Sequence, residues 1–189
     1  MLSRQPQPSP KRKRRVPRCW LMCDARLGQC IPAIIAAMPP RSAVVVRPYA
    51  MQAEAQAELI RAIRRVARAK RHLLLIAGGG SGAGFDGRHG GGRRTTGFLS
   101  LSVHNQRELA KANRRKADAV LISPVWPTRS HPDGNSLGTR GFAHLAARSS
   151  AKVIALGGVT ARGFARLKIH GAAGWAAIGA WLPSDTRRP

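Results

Sequence analysis

Short apolar runs alternate with helical stretches along this chain, and that rhythm limits its fold more than any other feature. Leu73–Ala77 is apolar at every position, as expected of a strand covered on both faces. Ala43–Val46, Phe98–Val103, Asp118–Ile122, Val153–Leu156 and Gly174–Ile178 read as further strands, and Cys19–Cys23 as a short first one. Between them, Ile31–Met38 reads as a helix stopped by Pro39 and Pro40. Gln52–Lys70 is amphipathic, with Leu59, Ile63 and Val66 on one face and Arg61, Arg64, Arg65 and Arg68 on the other. Asn105–Lys116, Thr139–Arg148 and Ala161–Ile169 follow as helices, with Thr160 placed to cap the last. The alternation predicts a parallel α/β architecture.

One link breaks the rhythm. Seven residues, Gly78–Gly84, separate the third strand from Phe85-Asp86-Gly87-Arg88-His89. A parallel crossover ordinarily takes a dozen or more. The third helix is therefore expected to be degenerate or missing.

The stretch Val120–Gly138 is the most informative for chemistry. An apolar run ends in Ser123-Pro124, and a polar, turn-rich segment follows with Thr128, Arg129, Ser130 and His131 bunched together. Physically this is a buried strand feeding a long loop at its C-terminal end, where parallel α/β folds place their chemistry. Hydroxyls and cations gathered there suit an anionic ligand.

Composition narrows the partners. With 189 residues the chain has room for one sizeable core but is short for a (β/α)8 barrel. Its net charge of +25 favours anionic partners such as phosphates, pyrophosphates or nucleic acid. Three cysteines, Cys19, Cys23 and Cys30, form no disulfide or zinc pattern and read as buried or free thiols. No apolar run approaches the roughly 18 residues of a membrane span, and no apolar segment follows the basic N-terminus, so a cytoplasmic location is expected. Residues 1–17 read as a basic disordered arm, residues 18–182 as the folded domain and residues 183–189 as a tail.

Ser123-Pro124-Val125-Trp126-Pro127-Thr128-Arg129-Ser130-His131, followed by Leu137-Gly138, resembles the signature G-P-[IV]-F-P-T-x-[TS]-K…L-G of thiamine phosphate synthases and thiazole tautomerases. The resemblance runs over roughly residues 18–182 and is strongest in the C-terminal half. It implies a short (β/α)8 TIM-type barrel with its site at the C-terminal strand ends. It also implies transfer of a hydroxymethylpyrimidine group from its diphosphate to a thiazole phosphate.

The same resemblance suggests residue roles. Arg47, Ser130 and His131 are expected to serve the diphosphate leaving group, with Thr128 and Arg129 beside them. His131 stands where the family has Lys, and its charge depends on pH because its unperturbed pKa is about 6.5. Of the family's Q-x-R-x-K only Arg47 is kept. Ser102-Val103-His104 resembles S-x-H, so Ser102 and His104 are substrate-binding candidates, with helix capping an equal alternative for His104. Ala155-Leu156-Gly157-Gly158-Val159 matches the thiazole-phosphate motif well, and Ile178-Gly179 has Gly where Ser is usual. Glycines at a strand-to-helix turn let backbone N–H groups approach a phosphate.

Phe85-Asp86-Gly87-Arg88-His89-Gly90-Gly91 resembles A-D-G-V-H-L-G, but the acids that hold magnesium in the family are absent: Arg93 and Arg94 lie nearby, and Ala77-Gly78 replace Asn-Asp. No metal ligand is assigned, since magnesium needs carboxylate oxygens. Pro124 occupies the tautomerase catalytic His position and has no base to offer. Two other readings stay open: a degenerate barrel that binds phosphorylated ligands without turnover, and a basic nucleic-acid binder, for which aromatic residues are scarce.

Overall fold

A computed structural model of the protein describes residues 15–23, 25–47, 52–78, 82–91, 97–128 and 135–181. Eight parallel strands close into a barrel in sequential order. They are β1 (Cys19–Met22), β2 (Ala43–Val46), β3 (Leu73–Ala77), β4 (Gly87–His89), β5 (Phe98–Val103), β6 (Ala119–Ile122), β7 (Lys152–Leu156) and β8 (Ala172–Ala177). Five helices are described: α1 (Ile31–Ala37), α2 (Ala53–Ala69), α3 (Gln106–Arg114), α4 (Gly138–Ala146) and α5 (Ala161–Leu167). β8 pairs with β1, Ala176 facing Trp20. The parallel α/β architecture is what the alternation predicts, and the closed TIM-type barrel is what the resemblance implies.

Side chains alternate across each strand, so the inner row is easily named. Trp20, Met22, Ala43, Val45, Leu75, Ala77, Phe98, Ala119, Leu121, Ile154 and Ala176 form one buried cluster inside the barrel. The rings of Trp20 and Phe98, 6.1 Å apart and tilted, fill much of it. The Trp20 indole donates to the Pro17 carbonyl at 2.7 Å, and Val16 packs against the inner cluster. Val16 and Pro17 therefore both contact the barrel. Outer faces pack against the helices in two further clusters, one around Phe142 and Phe164, the other around Ile35 and Ile63.

The short links are where the barrel economises. Residues 78–86 join β3 to β4 and residues 90–97 join β4 to β5, with no helix among their described residues. The absence of a third helix among the described residues is as expected, and the described part of the β4–β5 link has none either. β4 contributes only three residues. Arg64 takes part in covering this side. Its guanidinium lies 4.9 Å from the Phe85 ring centre and donates to the Ala83 carbonyl. The expected wet-face position for Arg64 is therefore corrected: it is partly buried, while Arg61, Arg65 and Arg68 are exposed.

Two aspartates staple the floor. Asp86 Oδ2 accepts the Leu74 N–H at 2.8 Å while its own N–H donates to the Leu74 carbonyl. Asp118 repeats this with Leu99, also at 2.8 Å. Each aspartate precedes its strand, so both carboxylates sit at the N-terminal end of the barrel, opposite the expected site.

The remaining boundaries differ from expectation by a residue or two. Thr160 caps α5 as expected, its hydroxyl accepting the Gly163 N–H at 3.2 Å. That helix passes into a 3-10 turn over Lys168–His170. The three cysteines are free thiols, Cys19 half-buried, Cys23 buried and Cys30 exposed. No helix among the described residues is long and apolar enough to cross a membrane.

Candidate active site at the C-terminal strand ends

The signature segment lies across the turn after β7. The Val125 N–H donates to the Leu156 carbonyl at 2.9 Å, and the Trp126 N–H to the Gly157 carbonyl at 3.1 Å. The segment then returns on itself: Leu137 and Gly138 donate to the carbonyls of Pro124 and Val125, each at 2.9 Å. The glycine pair is what allows the close approach. Both residues have positive φ, 88° at Gly157 and 66° at Gly158. A Cβ on Gly157 would meet Pro124 Cα at 2.8 Å, and one on Gly158 would meet the Pro127 carbonyl at 2.8 Å. The glycines therefore have a packing reason as well as the anion-binding reason read from their motif.

Thr128 is half-buried at the end of the described part of this loop. Arg129, Ser130 and His131 lie outside the described residues, as do Arg93 and Arg94. Across the mouth, Ile178 is half-buried against the inner cluster, and Gly179 has open space where a Cβ would stand.

Arg47 follows β2 in the inward row of Ala43 and Val45 and is half-buried. No carboxylate among the described residues pairs with it. Its charge reaches two neighbours. Burial pushes the Cys23 thiol up to about 12, against the opposing pull of Arg47. Burial pushes His89 down to about 4, and Arg47 adds to that effect.

His89 is the residue that sequence reasoning left out of the site. Its imidazole is 5% exposed, with Nδ1 3.0 Å from Ser100 Oγ and Nε2 3.1 Å from Ser102 Oγ. β4 and β5 place it there: His89 is in register with Ser100, and Ser102 lies one inward step further along β5. Ser102 thus joins Arg47 and His89 inside the mouth. The available signal was parity, since Phe98, Ser100 and Ser102 alternate along one strand and give two hydroxyls on an inward face.

His104 takes the alternative role. Its backbone N–H and its Nδ1 both donate to Glu108 Oε2, each at 2.8 Å, and its side chain is 51% exposed. Asn105 completes the cap of α3 by accepting the Glu108 N–H at 2.9 Å. Burial alone would raise the Glu108 carboxyl, but the His104 and Asn105 donors outweigh it and the pKa is lowered. These contacts bind His104 to the start of α3.

The described residues of the mouth do not suit magnesium. A hard dication calls for carboxylate oxygens. Asp86 and Asp118 are committed to the opposite end, and Glu108 is engaged by His104 and Asn105. No cluster of metal-binding side chains occurs among the described residues. What the mouth offers is a cation at Arg47, the hydroxyls of Ser102 and Thr128, and open backbone at the glycine turns. That set suits an anionic, oxygen-rich ligand.

Comparison with known proteins agrees with this geometry. Residues 93–181 match the family described as "Thiamine monophosphate synthase". A "Putative thiamine-phosphate synthase 2" of Aquifex aeolicus is 29% identical over 88 residues, covering 45% of this chain and 46% of the relative. The "Thiamine-phosphate synthase" of Archaeoglobus fulgidus is 31% identical over 90 residues, covering 47% of this chain and 42% of the relative. The matches thus span less than half the length of these relatives. Among solved structures, a thiamine phosphate pyrophosphorylase from Pyrococcus furiosus superposes with a TM-score of 0.75 over 90% of each chain at 19% identity. One from Bacteroides thetaiotaomicron gives 0.58 over 92% of this chain and 90% of that one at 16% identity. At these identities the superpositions establish the barrel fold.

Proposed function

We propose that the barrel joins hydroxymethylpyrimidine diphosphate to a thiazole phosphate and releases pyrophosphate, a reading supported by the match of residues 93–181 to the thiamine monophosphate synthase family. The observation that carries the reading is the signature segment folded over the Gly157–Gly158 turn. It supports two anion subsites side by side at the barrel mouth, one for each phosphorylated substrate.

In this reading the methylene C–O bond breaks and its electron pair leaves with the diphosphate. The pyrimidine methylene cation is captured by the thiazole nitrogen lone pair, which forms the new C–N bond. The protein's task is to hold the partners together and neutralise the leaving group. Arg47, Ser130 and His131 serve the diphosphate, with Thr128 and Arg129 as further contacts. Gly157, Gly158, Ile178 and Gly179 receive the thiazole phosphate through backbone N–H groups. Ser102 faces the substrate, and His104 does so only if it leaves Glu108. Cationic side chains take the place that magnesium holds in the resembling family, so no step here runs through a metal.

Simultaneous binding tests this reading. Calorimetry should show pyrophosphate and thiazole phosphate occupying the protein together, each with about unchanged affinity in the presence of the other. Mutual exclusion contradicts two subsites.

A second reading, a barrel that binds these ligands without turnover, is favoured by one observation: the aspartates nearest in sequence to the expected metal motif are engaged in the floor. Binding of both ligands without product formation distinguishes it.

A further inference from the structure

The paired serines around His89 carry an inference about the kind of group that the mouth can read. Ser100 is wholly buried, and its hydroxyl lies 3.5 Å from the Arg88 carbonyl as donor and 3.0 Å from His89 Nδ1. Ser102 is half-buried, and its hydroxyl lies 3.1 Å from His89 Nε2. A neutral imidazole has one N–H and one acceptor nitrogen, and its neighbours decide which is which.

Counting protons separates the two forms. With the proton on Nδ1, the ring donates to Ser100, Ser100 donates to the Arg88 carbonyl, and Ser102 donates to Nε2. All three protons then have acceptors within the protein. With the proton on Nε2, Ser100 must turn back to Nδ1, the Arg88 carbonyl loses that donor, and the Ser102 proton has no partner among the described residues. A buried network favours the arrangement in which every member is satisfied. The ring stays neutral under either arrangement: burial and the nearby Arg47 charge hold its pKa down at about 4.

We propose that His89 and Ser100 are positioning residues that fix Ser102 as a hydrogen-bond acceptor toward the barrel mouth, so that this point reads an N–H or O–H donor on the ligand. Phosphate oxygens are left to Arg47 and the backbone turns. Within the reading under Proposed function, on which the ligand assignment rests, the matching group is the exocyclic amine of the aminopyrimidine. The tautomer itself does not depend on that reading.

The first test therefore needs no ligand. Nitrogen NMR of the full chain with 15N-labelled histidine should show one ring, identified by its response to Ser102→Ala, protonated at Nδ1 and accepting at Nε2. The reverse pattern overturns the proposal. The second test compares two probes by calorimetry, the uncharged hydroxymethylpyrimidine and inorganic pyrophosphate. Ser102→Ala should weaken the pyrimidine about tenfold, as one lost hydrogen bond would, and leave pyrophosphate within about twofold. Loss of pyrophosphate binding with the pyrimidine unaffected overturns it.

Ser100→Ala gives an independent check. Removing the Nδ1 acceptor should move the proton to Nε2 and release the Ser102 proton to the mouth, raising pyrophosphate affinity. An unchanged tautomer in that variant contradicts the assigned positioning. If neither probe binds the wild type, the functional reading fails, while the nitrogen spectrum still decides the tautomer.

Discussion

Asp86 and Leu74 exchange two hydrogen bonds across the floor of the barrel: the carboxylate accepts the Leu74 N–H at 2.8 Å, and the Asp86 N–H donates to the Leu74 carbonyl at 2.8 Å. Asp118 and Leu99 form the same pair two strands on. In a chain with only eight acidic residues, two are therefore spent on closing the sheet. The device ties the three-residue β4 to β3 where no crossover helix does so.

Asp86→Asn keeps the side chain's shape but loses the charge of the acceptor. It should destabilise the protein by about 1–3 kcal/mol, the usual range for a charge-assisted hydrogen bond. Denaturant unfolding of Asp86→Asn and Asp118→Asn measures this. Wild-type stability in both variants contradicts the stapling role.

The histidines set a pH dependence. Burial lowers the pKa of His72 and takes that of His89 to about 4. An unfolded chain has its histidines at about 6.5 and so binds more protons in this window. Stability should then fall as pH drops from about 6.5 toward 4, with His89 alone worth about 3 kcal/mol at the lower end. Urea midpoints across that range should flatten in His89→Gln. An unchanged slope contradicts a buried neutral ring.

Gly158→Ala places a Cβ 2.8 Å from the Pro127 carbonyl, at a φ of 66°. Strain and displacement of the signature segment together should cost about 1–3 kcal/mol. Thermal unfolding reads the cost, and calorimetry with thiazole phosphate reads the disturbed subsite. A variant of wild-type stability that binds the phosphate normally contradicts the close packing.

Arg47→Ala removes the cation beside His89. Transition-state binding should weaken by about 2–5 kcal/mol, the scale for losing a charge contact in a desolvated site. Steady-state kinetics measures the loss in kcat/KM. Unchanged kinetics takes Arg47 off the leaving group.

Much of the barrel was legible because strands such as β2 and β3 are unbroken apolar runs and β5 alternates apolar residues with serines. Ala43–Val46, Leu73–Ala77 and Phe98–Val103 have the same bounds in sequence and structure. β4 was legible only as the segment beyond the short third link and without bounds of its own, since Gly87-Arg88-His89 carries no apolar run and is only three residues long. Arg64 was misplaced because helical periodicity cannot foresee that a loop without a helix leaves the Phe85 ring for it to cover. At the site, Arg47 and Ser102 were visible as residues at strand ends. His89 was not assigned there because its role depends on lateral register with β5, which appears only once the barrel closes. His104 was open between two roles because the same Nδ1 that could face a ligand also reaches Glu108, one helical turn away.

Turnover itself is the most direct measurement. Purified protein is mixed with hydroxymethylpyrimidine diphosphate and thiazole phosphate, in EDTA and in magnesium, and thiamine phosphate is followed by mass spectrometry. The account predicts catalytic product formation that persists in EDTA, because Arg47 and its neighbours neutralise the leaving group. No product under either condition contradicts the synthase reading, and product that EDTA abolishes and magnesium restores contradicts the replacement of the metal by cationic side chains.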